Sequence, residues 1–138
     1  MYLVDTDVIS NARRRTRANP GVRRFFREAA TQGFPLFLSA VTIGKLRQGV
    51  EAVRHRGDLA QATRLSRWLG TVTRDYGAAI LPFDEETAQI WGRLRVPHAE
   101  NPLDRQIAAT ALMYGLAVVT GNVSHYEPTG VAVLNPFT

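Results

Sequence analysis

The sequence has no cysteine, which excludes disulfides, thiolate nucleophiles and Cys-ligated zinc together. Any metal must sit on oxygen or histidine. No apolar run approaches the roughly 20 residues that cross a bilayer. Met1 leads straight into Tyr2-Leu3-Val4-Asp5, without the basic and apolar regions of a signal peptide. A cytoplasmic protein with no membrane role is expected. Neither G-x-G-x-x-G nor G-x-x-x-x-G-K-S/T follows any apolar run, so the nucleotide-binding α/β folds lose their main support. Internal repeats and low-complexity segments are also missing. Lysine occurs once, at Lys45, and every other one of the 17 cations is arginine.

What remains is ordinary for a globular chain: 138 residues, 45% hydrophobic and 21% charged. That length predicts a single domain over residues 1–138. The net charge of +5 favours a polyanionic partner through counterion release. The excess is local, because seven arginines fall between Arg13 and Arg27 with no acid among them. Arg13, Arg14, Arg15 and Arg17 are the candidates for holding a nucleic-acid backbone; the plainer alternative is a solvated helix face.

Along the chain, short apolar runs alternate with segments of helical period. Tyr2-Leu3-Val4 reads as a buried strand delivering Asp5 and Asp7 at its C-terminal end, before a helical turn at Val8-Ile9-Ser10. Asn19-Pro20 reads as a helix cap followed by proline, opening a helix through Val22, Phe25, Phe26 and Ala29 that Gly33 closes. Residues 34–38, 78–83, 116–120 and 131–134 read as further strands. Ile43, Leu46, Val50 and Val53 mark one helical face, and Leu59, Ala62, Leu65, Leu69 and Val72 mark another; together they predict a helical hairpin. Asp84 and Asn101-Pro102 predict two more helix starts. Alternation of this kind implies a three-layer α/β/α sandwich on a five-stranded, mostly parallel sheet, with ligands beyond the C-terminal strand ends.

Asp5 at a strand end and Asp104 in the first turn of a later helix belong at that same edge and can share one ion. Hard Mg²⁺ or Mn²⁺ takes oxygen ligands and keeps several waters, so two carboxylates and a substrate phosphate complete its sphere. Taken singly, Asp5 reads equally as a turn former and Asp104 as a helix-dipole partner.

The surrounding segments add to this. Tyr2-Leu3-Val4-Asp5-Thr6-Asp7-Val8-Ile9-Ser10 resembles the opening of a PIN-domain toxin of the VapC type. Pro102-Leu103-Asp104-Arg105-Gln106-Ile107-Ala108-Ala109-Thr110-Ala111 resembles that family's third acidic motif, and Gly115 through Val123 its fourth. The ending, Thr129-Gly130-Val131 through Leu134-Asn135-Pro136-Phe137, is similar to that of the FitB-like branch. The resemblance implies a Mg²⁺-dependent endoribonuclease acting on structured RNA. It also implies a homodimer and a cognate VapB-type antitoxin that lays a segment across the carboxylate edge. Asp5 and Asp104 would be the metal carboxylates, the ion polarising a phosphodiester for in-line attack. Thr6 and Thr120 would orient carboxylates and water through their hydroxyls, and Asn122 would fill the fourth polar position.

Two departures from the pattern stand out. Thr42-Ile43-Gly44-Lys45-Leu46-Arg47-Gln48-Gly49 resembles the second motif, in which the residue before the Leu is normally Glu; here it is Lys45. Lys45 is expected to enter the acidic cleft, pair with Asp5 or Asp104 and impair catalysis. Glu51 does not replace the lost acid, since six residues along a helix is roughly 240° around it. Asp7 is nearer, but as a strand residue it would share the face of Asp5 only if the strand continued. In the fourth motif, His125 stands where Asp is frequent and Gly121 where Arg is. His125 could bind water or phosphate, although an exposed loop histidine is the plainer expectation. A non-catalytic RNA- and antitoxin-binding protein on the same fold is the alternative. A phosphatase-like hydrolase would account for the two aspartates but not for the accompanying segments.

Overall fold

The computed structural model describes residues 1–138. Five strands, β1 (Tyr2–Val4), β2 (Leu36–Ser39), β3 (Ile80–Leu81), β4 (Ala117–Val119) and β5 (Val133–Leu134), form one sheet in the order β3-β2-β1-β4-β5. Every pairing is parallel. The helices are α1 (Thr6–Ala12), α2 (Pro20–Gln32), α3 (Ala40–His55), α4 (Leu59–Tyr76), α5 (Glu85–Leu94), α6 (Pro102–Tyr114) and α7 (Val123–Tyr126).

Alternation along the strands creates two cores from adjacent residues. Val4, Leu38 and Val119 face one side and pack with Val8, Val22, Phe25, Leu46 and Leu69 from α1–α4. Their neighbours Leu3 and Val118 face the other side and meet Ile107, Ala108, Ala111 and Tyr126 from α6 and α7. The period-two flip of a strand therefore makes the three layers. Strands are shorter than the apolar runs suggested. Ala78 and Ala79 belong to a 3-10 turn, and α7 went unanticipated because four residues carry no readable helical period.

Most helix starts follow the cap chemistry. Asp5, Asn19, Ser39, Asp58 and Asp84 each accept a bond from a backbone N–H at the start of α1, α2, α3, α4 and α5. Asn101 departs from expectation. It is left-handed (φ 52°) and its side chain caps nothing. The turn ahead of α6 is held instead by Arg105, 1% exposed, which donates 3.0 Å bonds to the carbonyls of Leu94 and Glu100.

The C-terminal tail returns to α2. Asn19 Nδ2 donates to the Thr138 carbonyl, while the Thr138 N–H donates to Asn19 Oδ1, both at 3.1 Å. Pro136 runs so close to Gly21 that a Cβ there would lie 2.0 Å from its carbonyl oxygen. No helix is long and apolar enough to cross a membrane.

Candidate functional site

The chain crosses from β3 on one side of β1 to β4 on the other, so the topological switch point lies between β1 and β4, where open α/β sheets collect ligands. Asp5 follows β1 and Thr120 follows β4. Asp5 is buried; its Oδ1 accepts from the Thr6 N–H at 2.7 Å and its Oδ2 from the Thr120 hydroxyl at 2.8 Å. Thr120 Oγ1 in turn accepts from the Asn122 N–H at 2.9 Å. The Thr120 hydroxyl thus joins the Asp5 carboxylate to the Asn122 backbone. Thr6 does not act through its hydroxyl, which is buried without a partner; its backbone does the orienting. Asn122 also contributes through its backbone, and its side chain closes no bond to the carboxylates.

Asp7 joins the site because β1 has already ended. The first turn of α1 swings its carboxylate toward Gly121, whose N–H it accepts at 2.8 Å. Burial, and next the charge of Asp5, raise the Asp7 carboxyl above its ordinary value; the Gly121 and Val8 N–H groups and Lys45 oppose that rise. Gly121 is bare for a reason: a Cβ there would lie 2.9 Å from both Asp7 Oδ2 and the Phe137 ring.

Asp104, in the first turn of α6, has both oxygens occupied. Lys45 Nζ lies 3.0 Å from Oδ1 and His125 Nδ1 lies 2.6 Å from Oδ2. The expectation of a free loop histidine fails here, because α7 turns His125 inward onto Asp104. Glu51 points away as anticipated, paired with Arg54 and Arg47 on the exposed side of α3. Sequence reasoning missed Tyr126. Its side chain is fully buried, and its phenol is held protonated by burial first and by the charges of Asp5 and Asp104 next. The only sequence signal was an aromatic one residue after His125.

The arginines separate. Arg13, Arg14 and Arg17 line one cavity of about 540 Å³, and the Arg13 guanidinium stands 6.0 Å over the Trp68 ring of α4. Arg15, left-handed at φ 54°, lines a different hollow with Ala12, Val22, Phe26 and Arg27.

A PIN-domain family model matches residues 2–128. The chain belongs to the PIN-domain family. Toxin FitB of Neisseria gonorrhoeae is 32% identical to this PIN domain over 142 positions, covering 99% of each chain. VapC ribonuclease Y4jK of Sinorhizobium fredii is 29% identical over 99% of this chain and 98% of its own. The crystal structure of FitAcB from N. gonorrhoeae superposes with a TM-score of 0.74 at 31% identity, covering 99% and 98% of the two chains. This PIN domain therefore stands with the FitB and VapC toxins, and its five parallel strands are the sheet of that fold.

Asp5, Asp7 and Asp104 are the oxygen donors at this sheet edge, but the three form no cluster that could hold a hard cation. As the chain stands they do not fit one. Each oxygen of Asp104 already has a cationic or hydrogen-bonding partner, and the Lys45 ammonium sits where a positive ion would need a free carboxylate.

Proposed function

We propose that this PIN domain is the toxin of a VapBC-type toxin–antitoxin pair in the cytoplasm. It is built as a Mg²⁺- or Mn²⁺-dependent endoribonuclease, and Lys45 has disabled the metal site. The Lys45–Asp104 pair is the single observation that carries this, supported by the names of the relatives, toxin FitB and VapC ribonuclease. A unit charge pair at 4 Å is worth about 4 kcal/mol at an effective dielectric near 20. Millimolar binding amounts to only about 4 kcal/mol in total. Turning a carboxylate into an ammonium at position 45 is therefore enough to empty a weak cation site. In this form the chain holds structured RNA and its VapB-type antitoxin without cutting. The antitoxin covers the Asp5–Asp104 edge and competes with RNA there.

Self-association fits the apolar surface around α6. Val96, Leu103, Leu112 and Tyr114 stay exposed there, whereas α2 and α4 bury Val22, Phe25, Ala62, Leu69 and Val72 and leave Leu59 as their exposed large apolar side chain. A homodimer would use that face, and light scattering at micromolar concentration tests it.

The deciding experiment compares the chain with Lys45→Glu for Mg²⁺-dependent cleavage of structured RNA. Cleavage gained only by Lys45→Glu supports the proposal. Equal activity in both, or firm Mg²⁺ binding by the Lys45 chain in calorimetry, overturns it. Lack of cleavage by either, with RNA still bound, favours a protein that only binds.

A further inference from the structure

The cavity lined by Arg13, Arg14 and Arg17 has no apolar wall, and none of the three guanidiniums pairs with a carboxylate. Three like charges facing one concavity repel each other unless an anion lies among them. The backbone holds them there. Arg14 N–H bonds the Asn11 carbonyl, Arg17 N–H the Arg14 carbonyl and Ala18 N–H the Arg15 carbonyl, each at 3.0 Å. Asn19 N–H closes the bend on Asn11 Oδ1 at 2.8 Å. Arg14 and Arg17, the two ends of this turn, line the same cavity. Trp68 limits the freedom of Arg13.

The bend borders the same sheet edge as the acids. Asn19 is tied to Thr138, and the Phe137 ring lies against Gly121, the residue that donates to Asp7. Helix α1 alone separates Asp5 from Arg13, and its 7 residues span about 10 Å at roughly 1.5 Å per residue. A strand lying across the acids therefore reaches the bend within a few nucleotides.

We infer that Arg13, Arg14 and Arg17 form a phosphate subsite for the RNA backbone, a few nucleotides from the strand segment that lies over Asp5 and Asp104. This rests on the RNA-binding part of the proposed function and is independent of whether the chain cuts. The neighbouring hollow, floored by Ala12, Val22 and Phe26 and rimmed by Arg15, Arg23 and Arg27, is apolar enough to suit a peptide. The polar cavity suits a phosphodiester.

The probe is a short fluorescent oligouridylate, its binding followed by anisotropy against salt in EDTA, with melting curves confirming that every variant folds. The double substitution Arg14→Ala/Arg17→Ala is expected to weaken binding by about tenfold or more. It should also flatten the salt slope by about 1.4, at roughly 0.7 per lost single-strand contact. Arg23→Ala/Arg27→Ala should leave the slope unchanged. An oligonucleotide with neutral methylphosphonate linkages should bind the chain and the Arg14/Arg17 variant alike. Unchanged slope in the Arg14/Arg17 variant, an equal loss in the Arg23/Arg27 variant, or stronger displacement by polyglutamate than by unlabelled oligonucleotide overturns the inference. Failure of the unsubstituted chain to bind oligouridylate or structured RNA at all would instead refute the RNA-binding reading itself.

Discussion

Lys45 and Asp104, 59 positions apart, meet at 3.0 Å with side chains only 26% and 11% exposed. A pair this sheltered lies between the exposed kind, worth up to about 1 kcal/mol, and the buried kind, whose disruption costs about 3–5 kcal/mol. The cycle Lys45→Met, Asp104→Asn and the double variant in urea should return a coupling of about 1–3 kcal/mol. A coupling of zero would show that solvent screens the pair.

Asp7 gives a pH signature. Its carboxyl is raised by burial and by Asp5, so ionisation is less favourable in the native state than in the unfolded chain. For a group raised in this way, stability is greatest below the unfolded value and is lost as pH rises through the native one. Asp7→Asn keeps an acceptor for the Gly121 N–H and removes the charge. It should raise the melting temperature at neutral pH, and the gain should shrink as pH falls through the acid range. A gain that persists undiminished in strong acid would contradict this origin.

Gly121 and Phe137 are matched in shape. Gly121→Ala puts a methyl group 2.9 Å from the Phe137 ring and from Asp7 Oδ2. Overpacking of this kind costs about 1–3 kcal/mol. Combining it with Phe137→Leu should recover part of the loss in a thermal melt, whereas strict additivity would show that the clash lies with Asp7 alone.

Arg105 predicts a local weakness. Arg105→Met fills the space but strands the carbonyls of Leu94 and Glu100, each costing about 1–3 kcal/mol if it stays dry. The segment 95–101 should then be nicked faster in limited proteolysis, with little change elsewhere. An unchanged cleavage pattern would show that water replaces the guanidinium.

The fold was legible because its two periods are clean. The strand runs are short and apolar, the helix faces step by three or four, and the caps at Asn19 and Asp84 stand where the backbone needs them. Asp5, Thr120 and the entry of Lys45 into the cleft were legible from strand-end placement and motif spacing. The remainder depends on turns that no spacing encodes. Asp7 reaches the acids because β1 stops one residue before Asp5. His125 does so because a helix of four residues rotates it inward. Tyr126 and Phe137 act through packing against residues far away in sequence. The four arginines grouped by charge part company because Arg15 adopts a left-handed backbone that turns it to another hollow.

The strand at the middle of the sheet is the one made earliest. β1 leaves the ribosome long before β4, and Asp5 meets the Thr120 hydroxyl only across 115 positions of chain. Until then β1 has an open edge toward β4, and the acids lack their orienting hydroxyl, their Gly121 N–H and the Phe137 wedge. A chain that stops short of β4 therefore carries an unclosed sheet. The cleft itself exists only once synthesis is complete, because its orienting hydroxyl, N–H and aromatic wedge all come from the last 19 residues.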